Sequence, residues 1–433
     1  MVSAPTATAD APGSPPTATA TLEHYLDRIN QRDSLIQGWA HLDTELARKQ
    51  ARSRDEEPPR SALHGIPIGV KDIIDTGDQP TAYGSELWAG HRPERDAHVV
   101  ARLREAGAII LGKTATTEFA TYRPCATRNP HNPDHTPGGS SSGSAATVAD
   151  GQVPVALGTQ TAGSVLRPGS FCGVFTLKPT YGRWPFDGIL PVALSFDTVG
   201  GFARHPVWLG VLDQVLAQRH TVETLPATDR LRVGVLRSPW NDRATPSAVA
   251  ALGRFVAGVS ALGASHVDIE VPDELADLDD AHTLIMAVEA ATALSGRLDH
   301  DGRTPISDQL AEFLSVGRST TSNDIQRARG VVQASVRFAA AAFRGVDVLV
   351  TLAATGEAPE GLASTGDPVF NKLASVTGLP AIGLPVGTGV AQLPLGVQVI
   401  GPPHTDHALV RVATHLTDRA GLTARCPLPE EQR

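Results

Sequence analysis

Leu22, Tyr25, Leu26 and Ile29 recur at three- and four-residue intervals, which predicts an amphipathic helix within 21–43. The run 44-TELARKQARSRDEE-57 predicts a second helix, exposed and rich in charge, that Pro58 and Pro59 end. The pattern then changes. The stretch 65-GIPIGVKDIID-75 reads as a buried strand with one lysine in it. Residues 96–106 read as a helix stopped by Gly107, and 108-AIILG-112 as a short buried strand. Residues 126–144, rich in Asn, Pro, Gly and Ser, read as loop. Residues 143–150 read as the start of a helix and 153-VPVALGT-159 as a strand. Helical periodicity returns over 245–263, 281–297 and 323–344. The segments 231-LRVGVL-236, 346-VDVLVTLA-353, 380-PAIGLPVG-387 and 395-LGVQVIG-401 are strand-like. Alternating helices and strands predict an α/β fold. No internal repeat and no linker is visible between 21 and 433, so one domain is expected there. Its mostly helical part, about 240–345, is expected to pack on the sheet as a cover over a site.

Composition narrows the class. The chain has 433 residues, 41% of them hydrophobic and 19% charged, which is ample for a large core. Net charge is −9, and Lys and Arg form no run, so no direct nucleic-acid partner is expected. No apolar span reaches membrane length. Residues 1–20 are rich in Ala, Thr, Pro and Ser, with neither a basic start nor an apolar core. They are expected to be a disordered tail, not a signal peptide. Cys125, Cys172 and Cys426 are then expected to be free thiols, and the chain cytoplasmic.

Three motif matches fail on their surroundings. The run 107-GAIILGKT-114 satisfies GxxxxGK[ST], but Ala, Ile, Ile and Leu make a buried strand of what should be a phosphate-wrapping loop. The run 139-GSSSG-143 satisfies GxSxG, yet a nucleophile elbow needs a strand directly before it. Here the proline-rich 129-NPHNPDHTPG-138 precedes it. His131 and His135 have metal-like spacing, but Pro130, Pro133 and Pro137 exclude a regular helix, so both read as hydrogen-bonded loop imidazoles.

Three segments remain unusual for their surroundings. Lys71 stands among Ile66, Ile68, Val70, Ile73 and Ile74, either drawn inward or snorkelling from a strand end. Ser140, Ser141, Ser142 and Ser144 crowd one glycine-rich stretch, a linker or a reactive site. Ser164 lies in a Gly/Ala turn within 159-TQTAGSVLRPGSFCG-173, followed by an apolar run.

In order along the chain stand GIPIGVKDIIDT, GKTATTEFA, TPGGSSSGSAA, GTQTAGSVLRP and FCGVFTLKPTYG. Together they resemble the amidase signature family, most strongly over about 60–205 and again at 374-ASVTGLPAIGLPVG-387 and 394-PLGVQVIGPP-403. About 210–345 resembles it only loosely. The resemblance implies a single-domain α/β/α sandwich around a central mixed, twisted sheet. It also implies a Ser–cisSer–Lys triad: Lys71 as base, Ser140 as relay with a cis Gly139–Ser140 bond, and Ser164 as nucleophile. The oxyanion hole falls on Thr161, Ala162, Gly163 and Ser164. Ala162 departs from the more frequent glycine but keeps its N–H.

Gln160 stands where many relatives have Asp, removing a carboxylate that could hold Lys71 protonated if close enough. Ser141, Ser142 and Ser144 read as hydrogen-bonding around the site, and Asp197 as structural. Arg167 stands three residues after Ser164, a spacing that resembles the malonamidase-like branch, where this arginine holds a substrate carboxylate. A structural ion pair is its other reading. The implied chemistry is amide hydrolysis through a Ser164 acyl-enzyme, the lysine kept neutral by burial. No metal or organic cofactor is implied. The partner is a small-molecule amide, and a homodimer is left open. The alternatives are a glutamine-amidotransferase A-type subunit, an acyl-transferring, amide-forming enzyme of secondary metabolism, and an inactive binding protein. The Arg167 spacing and the loosely matching middle favour the stand-alone amidase.

Overall fold

A computed structural model of the chain describes residues 17–217, 224–298 and 306–420. Eleven strands among them form one sheet: β1 (Trp39–Leu42), β2 (Pro67–Lys71), β3 (Ile109–Thr114), β4 (Val155–Gln160), β5 (Phe175–Lys178), β6 (Thr198–Ala203), β7 (Arg232–Arg237), β8 (Ser265–Glu270), β9 (Val348–Leu352), β10 (Ala381–Thr388) and β11 (Pro394–Ile400). The helices are α1 (Ala18–Ile36), α2 (Thr44–Asp55), α3 (His98–Glu105), α4 (Ser142–Ala149), α5 (Leu166–Cys172), α6 (Pro206–Leu216), α7 (Pro246–Ala261), α8 (Leu278–Leu294), α9 (Asp308–Ser319), α10 (Ser322–Ala342), α11 (Lys372–Val376) and α12 (Asp406–Ala420). The strand order is β1-β3-β2-β4-β6-β5-β10-β11-β9-β7-β8. β2 runs parallel to β3 and β4, and β7 parallel to β8 and β9, while the remaining pairs are antiparallel. The sheet is therefore mixed, as expected.

Alternation along the strands sorts side chains onto two cores. Ile109, Leu111, Ala156 and Phe202 pack with Leu22 and Leu26 of α1, Ala47 of α2 and Val148 of α4. Their neighbours Ile110, Val155 and Leu157 turn the other way, into a cluster holding Leu209 of α6, Ile285 of α8 and Leu409 of α12. Helices on both faces bury a sheet whose central strands are apolar on both sides.

Several expectations shift. Of the expected tail, residues 1–16 lie outside the described residues, and its end is helical, because Thr17 accepts from Ala20 N at 3.1 Å and starts α1 at Ala18. Cys426 also lies outside the described residues. The strand expected over 65–75 stops at Lys71, where the amides of Ile73 and Ile74 both fold back onto the Lys71 carbonyl. The mostly helical stretch at 240–345 contains a strand, β8, on the sheet edge. Its residues are largely exposed, so its sequence SHVDIE carries no burial pattern to read. α9 starts at a cap from Ser307, whose amide and hydroxyl both donate to the buried Glu118 carboxylate. That contact ties the helical cover to the signature core. None of the described helices is long and apolar enough to cross a membrane.

Candidate active site

Lys71 closes β2, an interior strand paired on both sides by β3 and β4, and is completely buried. Its Nζ has two side-chain partners, Ser140 Oγ and Thr159 Oγ1, each at 2.7 Å. Both are hydroxyls. Burial pulls the amine down to about 7, while the Asp197 carboxylate acts against it. Thr159, on the adjacent β4, is a site residue that sequence reasoning missed. A threonine in a buried strand is ordinary, and only the pairing of β2 with β4 brings it to the lysine.

The Gly139–Ser140 peptide bond is cis. Each carbonyl around it is held by a different element. Ser142 Oγ donates to Gly138 O at 2.7 Å, Arg167 Nη2 to Gly139 O at 2.7 Å, and Thr117 N to Ser140 O at 3.3 Å. Gly138 has φ of +81°, a conformation that side-chain-bearing residues rarely adopt. Ser141 Oγ donates to Thr159 O at 3.1 Å, and Ser144 Oγ to Leu157 O at 2.8 Å, fastening the start of α4 to β4. The serine cluster is thus spent on positioning: one hydroxyl meets Lys71, and the others hold backbone.

Ser164 sits on the turn between β4 and α5 and keeps partial exposure. The turn's carbonyls are engaged. His282 Nε2 donates to Thr161 O at 3.0 Å, Ser375 Oγ to Ala162 O at 2.7 Å, and Arg167 N to Gly163 O at 3.0 Å. By contrast, the N–H groups of Ala162, Gly163 and Ser164 donate to no acceptor among the described residues. The result is a set of free donors beside a hydroxyl. Glycine is required at 163, because a Cβ there would come 2.4 Å from Asn371 Oδ1 and 2.9 Å from Pro368 Cβ.

Gln160 does not act through Lys71. Its Oε1 accepts from Val165 N and Leu166 N, both at 3.0 Å, and its Nε2 donates to Ser375 Oγ at 3.1 Å. It shapes the turn. The carboxylate that acts on Lys71 is that of Asp197. Asp197 accepts from Thr161 Oγ1 at 2.5 Å and from the amides of Val192 and Ala193 at 2.8 and 2.9 Å. Burial pushes its carboxyl up to about 7 against those three donors.

Arg167 forms no ion pair among the described residues, which corrects that reading. Its Nε donates to Thr365 O at 2.7 Å, and its Nη2 to Gly139 O at 2.7 Å and Thr365 Oγ1 at 3.1 Å. Nη1 is buried without a partner. Burial lowers the guanidinium to about 10. His131 and His135 bond the carbonyls of Cys172 and Ala358, at 3.0 and 2.7 Å. No group of His, Cys, Asp and Glu among the described residues is arranged to hold a metal.

A buried amine on a hydroxyl, a nearby turn presenting a second serine, and free amides beside it are the parts of an acyl-transfer site. The Amidase family model matches residues 20–410, and the chain belongs to that family, as an amidase-type enzyme. It is 32% identical to a glutamyl-tRNA(Gln) amidotransferase protein of Anaeromyxobacter dehalogenans, the A component of that enzyme, across 95% of this chain and 94% of that protein. A crystal structure of an amidase is 30% identical, with TM-score 0.84 over 93% of this chain and 96% of the other. The native peptide amidase from Stenotrophomonas maltophilia is 28% identical, with TM-score 0.77 over 94% and 95%.

Proposed function

We propose that the protein hydrolyses the C–N bond of a small carboxylic amide through an acyl-enzyme on Ser164. The carrying observation is the state of Lys71: fully buried and bonded by its amine to two hydroxyls, one of them Ser140. A lysine so placed is a base, not a counter-ion. Neutral Lys71 takes the Ser140 proton as Ser140 takes that of Ser164. Ser164 Oγ then bonds to the amide carbon, and the oxyanion is met by the amides of the 162–164 turn. As the C–N bond breaks, Ser140 passes a proton to the departing nitrogen and regains one from Lys71. Water attacks the ester, its proton moves by the same relay, and Ser164 leaves as the alcohol.

A panel of short aliphatic, aromatic and acidic amides tests this reading. Amine or ammonia release is expected from at least one class. Added hydroxylamine is expected to divert part of the product to a hydroxamate, since it captures the acyl-enzyme. Turnover with no hydroxamate at any hydroxylamine concentration would count against a covalent intermediate. Dominant capture by amines over water would favour the amide-forming alternative.

The free Nη1 of Arg167 supports a role with substrates that carry a carboxylate. Arg167→Leu is expected to lower kcat on all amides by about 10- to 100-fold, because Gly139 O loses its donor and Ser140 shifts. A rise in KM is expected for acidic amides alone. Steady-state kinetics on a matched acidic and neutral pair separate the two effects. Equal KM values before and after, on both substrates, would leave only the backbone role.

The relative from Anaeromyxobacter supports a second reading, an ammonia-releasing component of a larger assembly. Native purification decides between them: a single chain active on free amides supports the stand-alone amidase.

A further inference from the structure

His282 lies on α8, in the loosely matching middle of the sequence, and is completely buried. Its ring stacks on Phe196 at 4.7 Å with an interplanar angle of 23°. One ring nitrogen, Nε2, lies 3.0 Å from Thr161 O, and the other, Nδ1, is buried without a partner. A carbonyl only accepts, so Nε2 carries the proton and the bare Nδ1 makes the ring neutral. Burial first, then the Lys372 charge, hold it down to about 3, so this neutral donor persists through any working pH.

Thr161 directly follows β4, which ends at Gln160, and opens the free-amide turn. Among the described residues, its carbonyl and that of Ala162 accept from no backbone N–H. They are fixed by His282 and Ser375, both distant in sequence. If either carbonyl rotates, the peptide it belongs to rotates with it, and the N–H of the next residue moves too. The amide that shares a plane with Thr161 O is that of Ala162.

We infer that His282 is a positioning residue for the oxyanion turn, its Nε2–H locking the Thr161–Ala162 peptide so that the Ala162 amide serves the reacting oxygen. The inference rests on Ser164 being the nucleophile. It makes the helical cover part of the catalytic geometry and not only a lid. It also explains why a histidine, and not an apolar residue, occupies a stacked and dry position.

His282→Phe keeps the ring stack and removes the donor. kcat per Ser164 titrated with a fluorophosphonate is expected to fall about 10- to 100-fold, with KM within about twofold and the pH profile unmoved. His282→Gln, which returns an N–H at similar reach, is expected to recover most of the loss. Normalising to titrated sites removes unfolded protein from the comparison. Should His282→Phe not fold, His282→Asn against His282→Gln asks the same question, because Asn is one methylene too short. Wild-type kcat per titrated site in His282→Phe, or equal loss in the Gln and Phe or the Gln and Asn variants, would overturn the inference. Wild-type enzyme labelled elsewhere than at Ser164 would instead overturn the reading beneath it.

Discussion

Ser164→Ala is expected to lower kcat by at least about 10³-fold while Tm stays within about 2 °C of the wild type. The asymmetry follows from the position. The hydroxyl lies on a partly exposed turn, and its Oγ bonds no other described group, so removing it costs little packing. Every step of the proposed chemistry passes through that oxygen. The residual rate would come from the free amides and the substrate contacts, which Ser164→Ala leaves in place. Mass spectrometry after fluorophosphonate treatment checks the same assignment: one adduct on the peptide holding Ser164 in the wild type, none in the variant. Full activity in Ser164→Ala would remove the nucleophile from the scheme.

Lys71→Met carries the second large effect. Methionine fills much of the lysine volume and has no base, so a loss of about 10³-fold or more in kcat/KM is expected. The wild-type pH profile gives the finer test. With the amine near 7, the reactive neutral form fills as pH rises, so kcat/KM is expected to climb through about 7 and level above it. Asp197, also near 7, could produce a limb of its own. The two separate by sign. The Asp197 charge raises the Lys71 value, so Asp197→Asn should move a lysine-governed limb to lower pH. It should abolish a limb that Asp197 governs. Linkage gives an independent check. The unfolded lysine, near ~10.4, holds a proton that the folded one releases near 7, so lysine burial opposes folding most at low pH. Stability of the wild type relative to Lys71→Met is therefore expected to rise between those values.

How much of this was legible depended on where each residue's reason lies. Lys71, Ser140 and Ser164 stand in ordered motifs with a resemblance behind them, and the structure brings the amine onto Ser140. Lys71 in an apolar run left two readings, drawn inward or snorkelling from a strand end, and only the structure decides for burial. Thr159 gave no signal, since nothing in a strand sequence says which neighbouring strand it will face. His282 and Ser375 were illegible for a related reason: their partners are backbone carbonyls, which leave no mark in a sequence. Gln160 was read for its missing charge, whereas its amide geometry, facing two N–H groups and a serine, is what the fold uses. The fold class followed from alternating periodicity. The edge strand β8 did not, because exposed strands lose the contrast that makes a strand readable.

The strand order has a consequence for biosynthesis. β5 leaves the ribosome early, yet one of its edges pairs with β10, whose residues emerge some two hundred positions later. Until then a buried, apolar strand edge has no partner, and nascent chains cut short before β10 would present it as a template for aggregation. The protein is therefore expected to depend on chaperone capacity during overproduction, and on lower growth temperatures, more than its final stability would suggest.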